Sequence, residues 1–295
     1  MIPVVWTMRY SVLTREKRWN INKNISFEDY RGKLFSDERM DQRHWMLSNI
    51  SLPSLSVQGG QTVLNIIASE AMPSRHKRRL EDTVSGFSWV RISYVSPEEE
   101  RIPFEKCLQE TLGEMDISGD RYVNAGIDDD DAVSRDFSDR LRNLAGEYSI
   151  GHIISLSQGC IGVFDWGSQR FEGLYSYNSP KINLGLAVVG SFKGGTPSHS
   201  MYSLGVGHMK LDSKYRVVLD GSQMSFLRTS YPTQDTEGAI RLSRSYQSVD
   251  PATVLERFNL SVDFLPRVGD SISRLKHEKR MAFCRSIRQR IFRVI

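Results

Sequence analysis

Along the first half of the chain, apolar positions alternate with polar ones or recur every three to four residues, in separate blocks. Val4, Val5, Trp6, Met8, Tyr10 and Val12 are rich in β-formers and predict a first strand over 4–12. A polar loop from Thr14 to Asp29 follows. Residues 32–50 read as a helix that ends at Leu52-Pro53-Ser54-Leu55, because proline disfavours helical backbone in the residue before it. A second buried strand is expected over 61–69, a charged helix over 75–84, a third strand over 89–95 and another helix over 102–115.

A short strand, Arg121 to Ile127, then runs straight into Asp128-Asp129-Asp130-Asp131. Beyond it Val133, Phe137, Leu141, Leu144 and Tyr148 recur at helical spacing, so a helix is expected to begin near Ala132. This alternation predicts an α/β fold with a mostly parallel sheet and helices on both faces. The second half shows shorter strands at 150–156, 162–165, 171–177 and 182–189, a loop at Lys193-Gly194-Gly195-Thr196-Pro197, and a helix over 251–260.

Composition leaves that picture intact: 39% of the 295 residues are hydrophobic and 25% charged, ordinary for a globular protein. No apolar run approaches the roughly 20 residues of a membrane-spanning helix, and no secretory signal opens the chain. Cys107, Cys160 and Cys284 are scattered without metal spacing, which predicts free thiols in a reducing, cytoplasmic setting.

Charge does change the picture. The net charge is only +4, yet Arg274, Lys276, Lys279, Arg280, Arg285, Arg288, Arg290 and Arg293 crowd the end of the chain against the single acid Glu278. With Leu275, Met281, Phe283, Ile287, Ile291 and Phe292 interleaved, residues 266–295 read as a basic amphipathic helix. Such a helix packs by one face, or lies on an anionic membrane at about 1 kcal/mol per basic residue. Nucleic-acid binding through this tail is a third reading, but nothing in the core supports it.

The four aspartates carry the chemistry. Two unit charges about 4 Å apart cost roughly 1 kcal/mol in water and about 4 kcal/mol at an effective dielectric of 20. A helix N-terminus offsets only about 0.3–1 kcal/mol per charge, so a hard divalent cation, Mn2+ or Mg2+, is expected, with Asp131 as helix N-cap. Ligands in open α/β sheets bind beyond the carboxyl ends of the strands, which is where this turn falls.

Several stretches resemble the rhamnosyltransferases of bacterial polysaccharide synthesis. Thr7-Met8-Arg9-Tyr10-Ser11-Val12-Leu13 is similar to their opening strand, and Ser51-Leu52-Pro53-Ser54-Leu55 with Gln58 or Gln61 to their Leu-Pro-Ser-Leu…Gln-Thr segment. Ile127-Asp128-Asp129-Asp130-Asp131-Ala132 resembles their acidic signature, and Gly207-His208 and Phe226-Leu227-Arg228-Thr229 their later motifs.

The resemblance, spanning roughly 4–240, implies a GT-A type glycosyltransferase. It implies a Rossmann-like, mostly parallel mixed sheet flanked by helices over residues 1–265, with a nucleotide-sugar half (1–150) and an acceptor half (151–265). It further implies a nucleotide-sugar donor, a saccharide or lipid-linked acceptor, Asp128 and Asp130 at a divalent metal, and Thr7, Arg9, Ser11, Glu70, Asp128 and Asp129 around the nucleotide. Two departures stand out: Gly126 replaces an Arg usual two residues before the first Asp, and Ser230-Tyr231-Pro232-Thr233-Gln234-Asp235 replaces a stretch with His and Asn. They keep open a catalytically inactive, glycan- or metal-binding relative.

Transfer with inversion needs a base for the acceptor hydroxyl. His208, Asp165 and Asp235 lie in the second half and are the candidates; Asp165, beside Trp166 and Gly167, equally reads as a turn-closing residue.

Overall fold

The computed structural model describes residues 1–16, 20–22, 24–117, 119–234 and 246–264. The basic segment 266–295 and Asp235 therefore lie outside the described residues. The elements run β1 (Val4–Tyr10), α1 (Phe27–Leu34), α2 (Asp37–Met46), α3 (Leu52–Ser56), β2 (Thr62–Ser69), α4 (Ser74–Val84), β3 (Val90–Val95), α5 (Phe104–Gly113), β4 (Arg121–Asp128), β5 (Ala132–Val133) and α6 (Phe137–Glu147). They continue through β6 (Ile153–Leu156), β7 (Gln158–Asp165), β8 (Arg170–Asn178), β9 (Leu186–Lys193), β10 (Thr196–Pro197), β11 (Val217–Asp220), β12 (Phe226–Ser230) and α7 (Pro251–Phe258).

The main sheet has the order β11-β6-β9-β4-β1-β2-β3, with β10 hairpinned onto β9. Neighbours are parallel except on either side of β9, so the sheet is mixed but mostly parallel, as expected. Strands from both halves of the chain build it. A smaller sheet, β5-β12-β7-β8, stands beside it.

Period-two alternation sorts β1 between two helical layers. Val4, Trp6, Met8 and Tyr10 face the core shared with α1–α4 and α6, where Trp6 meets Phe137 at a ring separation of 5.0 Å. Val5 turns to the opposite face, against Leu108 and Leu112 of α5. That second face carries a hydrogen-bonded polar row: Asn124 Nδ2 donates to Thr7 Oγ1 and Asn65 Nδ2 to Thr111 Oγ1, both at 2.9 Å. Cys107 and Cys160 are buried free thiols.

The structure departs from the sequence reading in two places that bear on the site. Helix does not stop before Pro53: α2 passes through a π-helical turn, Leu47–Ser51, into α3, where Pro53 sits in the first turn. Pro53 falls where the helix passes from its π-helical stretch to its α-helical one, with Ser51 and Leu52 both in helical conformation. Nor does a helix begin near Ala132. Ala132 and Val133 pair with Leu227 and Phe226 as strand β5, and α6 starts only at Phe137.

Among the described residues, no helix is long and apolar enough to cross a membrane.

Candidate functional site

β1 leads to β2 on one side and has β4 on the other, so the strand order reverses between β1 and β4. A crevice opens beyond the carboxyl ends of the strands at such a reversal. Arg9 and Asp128 lie opposite each other in register there, with Arg9 Nη2 3.5 Å from Asp128 Oδ1. Burial favours the neutral guanidinium, but Tyr202 and Asp128 outweigh it and raise the Arg9 pKa. Arg9 also lies over the Tyr202 ring, 5.4 Å from its centroid, and that ring stacks on Phe104.

The turn is held from below by the π-helical segment. Ser51 Oγ donates to the Asp131 carbonyl at 2.8 Å, and the Asp131 amide closes onto the Asp128 carbonyl at 3.3 Å. π-Helical turns of this kind recur at functional sites.

The four carboxylates then diverge. The Asp128 side chain is 40% exposed, whereas those of Asp129 and Asp130 are 4% and 9% exposed. Arg43 of α2 puts Nη1 between these two, paired to Asp129 Oδ1 and 3.4 Å from Asp130 Oδ2. Asp129 Oδ2 is buried without a hydrogen-bond partner. Burial pushes the Asp129 carboxyl up to about 7 against the pull of Arg43, and Asp130 adds to the rise. Asp130 Oδ2 accepts from the Tyr231 hydroxyl at 2.8 Å and from Gln234 Nε2 at 3.5 Å. Asp131 Oδ1 accepts from the Thr229 amide at 2.9 Å. Burial, with Asp130 and Asp128, lifts the Asp131 carboxyl well above the usual carboxylate range.

This corrects the expectation that only a cation or a helix N-terminus could offset four adjacent acids. Two guanidinium groups, a phenol, a strand amide and the raised proton affinity of the buried pair do much of it. Asp131 caps no helix; its carboxylate is spent on β12.

The remaining candidates fall as follows. Thr7 is buried, its hydroxyl accepting from Asn124 Nδ2 and its carbonyl 3.5 Å from the Tyr202 hydroxyl. Ser11 directly follows β1 and lies in the left-handed region (φ 50°), its hydroxyl accepting from Arg39 at 2.9 Å. Backbone of this kind is a local strain that surrounding structure must impose. Glu70 is exposed immediately after β2, at the same edge of the sheet. Asp165 closes the β7–β8 turn, with Oδ2 accepting from the Ser168 amide at 3.0 Å and its hydroxyl at 2.8 Å. His208 is exposed and bonded through Nδ1 to the Lys181 carbonyl at 2.8 Å. None of the described contacts of His208 or Asp165 reaches the acidic turn.

Arg43, Tyr231 and Gln234 were not singled out from the sequence as functional. Arg39 and Arg43, four apart on one helix, were the available signal: two cations on a face that also carries buried Met40 and Met46. Gly126 is explained as well. A β-carbon there would stand 3.0 Å from the Tyr202 hydroxyl and 3.5 Å from Asn183 Oδ1, so the space a side chain would need is filled by Tyr202 and Asn183.

Among the described residues no group of three or more His, Cys, Asp or Glu could hold a metal by itself. A hard cation that binds one or two carboxylates plus substrate phosphates needs less. Asp128 Oδ2 and Asp130 Oδ1 are not engaged by the donors that hold their partner oxygens. The donor set fits such a cation. A cavity of about 450 Å³ beside Pro53, Thr83 and Phe87 includes no residue of the turn.

A mostly parallel mixed sheet between helical layers, with an acidic turn at the strand-order reversal, is the layout expected of a GT-A type glycosyltransferase. The chain belongs to the family described as "Putative rhamnosyl transferase", which it matches over residues 3–241. Among solved structures it is similar to residues 1–349 of S. aureus TarS, at 9% identity over 77% of this chain and 60% of that one, with a TM-score of 0.40. The same TarS fragment in complex with UDP gives 10% identity over 78% and 61%, with a TM-score of 0.37. A Bacillus anthracis protein described as a putative glucose-1-phosphate thymidylyltransferase, in complex with a sucrose, gives 11% over 77% and 89%, with a TM-score of 0.31. The chain thus spans about three fifths of the TarS fragment. No curated protein matches it.

Proposed function

We propose that this chain transfers a sugar, rhamnose, from a nucleoside-diphosphate donor to a saccharide or lipid-linked acceptor in surface polysaccharide synthesis. The observation that supports this most is the Arg9–Asp128 pair at the strand-order reversal, with Asp130 two residues further along the same turn. Arg9, kept charged, can meet the diphosphate, and Ser11 and Glu70 border the same strand ends. A divalent cation, Mn2+ or Mg2+, would be held by Asp128 and Asp130. When bound it neutralises charge that develops on the leaving diphosphate.

Arg43, paired to Asp129 and 3.4 Å from Asp130, offsets the repulsion between the two carboxylates. Preorganised charge of this kind costs no rearrangement at the moment of reaction. For the base we carry forward Asp235, which directly follows the Asp130-bound Gln234 in sequence. His208 and Asp165 are the alternatives to be tested beside it.

A thermal-shift screen of nucleoside diphosphates with Mn2+ tests the donor class. Stabilisation by the thymidine form is expected, since a ligand that binds only the folded state raises its melting temperature. No shift with any nucleotide would argue against the proposal.

A further inference from the structure

Every described donor to the Asp130 carboxylate lands on one oxygen. Tyr231 donates its hydroxyl to Oδ2 at 2.8 Å, Gln234 Nε2 stands 3.5 Å from Oδ2, and Arg43 Nη1 stands 3.4 Å from it. None of these contacts goes to Oδ1. A carboxylate fixed through one oxygen can no longer rotate freely, and its second oxygen is presented in one direction.

Tyr231 is itself fixed. Its ring is 2% exposed and meets Trp166 edge-on at 5.7 Å, and Trp166 in turn meets Trp45 of α2. Gln234 is anchored separately, by Nε2 donating to the Thr229 carbonyl at 2.8 Å. Thr229 also donates its hydroxyl to the Asp130 carbonyl and its amide to Asp131. The segment from β12 to Gln234 therefore grips Asp130 from side chain and backbone together.

We propose that Tyr231 is a positioning residue: it orients Asp130 so that Oδ1 faces the cation that accompanies a nucleoside diphosphate. This rests on the reading of Asp130 as a metal ligand. Groups that hydrogen-bond a ligating side chain set its orientation, and losing one typically costs about 10–100-fold in metal affinity or activity.

The test uses the full chain and Mn2+, whose unbound form is counted by electron paramagnetic resonance, with thymidine diphosphate or uridine diphosphate present. Tyr231→Phe keeps the ring against Trp166 and removes only the hydroxyl. It is expected to weaken Mn2+ binding about 10-fold or more, while nucleotide affinity in the presence of a chelator stays at the wild-type value. A merely structural role would move both or neither. Should Tyr231→Phe fail to fold, Gln234→Leu removes the longer contact and is expected to weaken Mn2+ binding measurably, again with nucleotide affinity in chelator unchanged. Wild-type Mn2+ affinity in the variants would overturn the positioning role alone. If the wild-type chain takes up no Mn2+ with either nucleotide, the metal reading and this role fall together.

Discussion

Arg43 and Asp129 form a buried ion pair that links the α2 helix to the turn after β4, with the second Asp129 oxygen buried and without a hydrogen-bond partner. The pair keeps charge in a place that would otherwise be dry.

Removing one partner of such a pair strands the other. Arg43→Met should cost more at pH 8, up to about 3–5 kcal/mol, because Arg43 is what holds the buried Asp129 carboxyl down and the variant must either bury an unpaired charge or take up a proton. At pH 5 the loss should be smaller, because the Asp129 carboxyl, raised to about 7, already holds a proton there in the wild type. Urea unfolding at the two pH values measures this. An equal loss at both would mean that Arg43 acts by packing alone.

Asp129 also sets a direction for the wild-type pH dependence. Its carboxyl is raised from an ordinary 3.8 to about 7 by burial and by Asp130, so between those values the folded chain holds more protons than the unfolded one. Stability from this group is full below pH 4 and is lost as pH rises towards 7. Asp129→Asn abolishes that loss, so its stability relative to wild type should climb across the window. A flat difference between the two unfolding curves would contradict the assignment.

Gly126 tests the packing between β4 and Tyr202. A β-carbon added there lies 3.0 Å from the Tyr202 hydroxyl and 3.4 Å from its ring carbon, so Gly126→Ala must shift Tyr202 on Phe104 and Arg9. Overpacking of this kind costs about 1–3 kcal/mol, readable as a lower midpoint of thermal unfolding. An unchanged midpoint would show that Tyr202 is free to move.

Much of this was legible in the chain. Strand-sized blocks such as Val4–Tyr10 and the run before Asp128 placed the acidic turn at the mouth of a parallel sheet, because burial on both faces demands continuous apolar residues. What pattern could not show was pairing across distance. Arg43 reaches Asp129 over 86 positions and Tyr231 reaches Asp130 over 101, and no local periodicity encodes either. Ala132 and Val133 fit the helical spacing of Phe137 and Leu141, yet β12 claimed them as a strand, since a tertiary partner outweighs local preference. At Pro53 the expectation that the helix ends before proline failed, because the helix runs on through the π-helical turn Leu47–Ser51 into α3.

The central claim is that Asp128 and Asp130 serve a nucleotide-sugar donor. Its most direct measurement is release of nucleoside diphosphate from thymidine-diphosphate rhamnose with Mn2+, comparing the wild-type chain with Asp130→Ala. The account predicts release by the wild type and loss of at least about 100-fold in the variant, the scale of removing a group that stabilises charge in the transition state. Equal release by both, or none by the wild type, would contradict it.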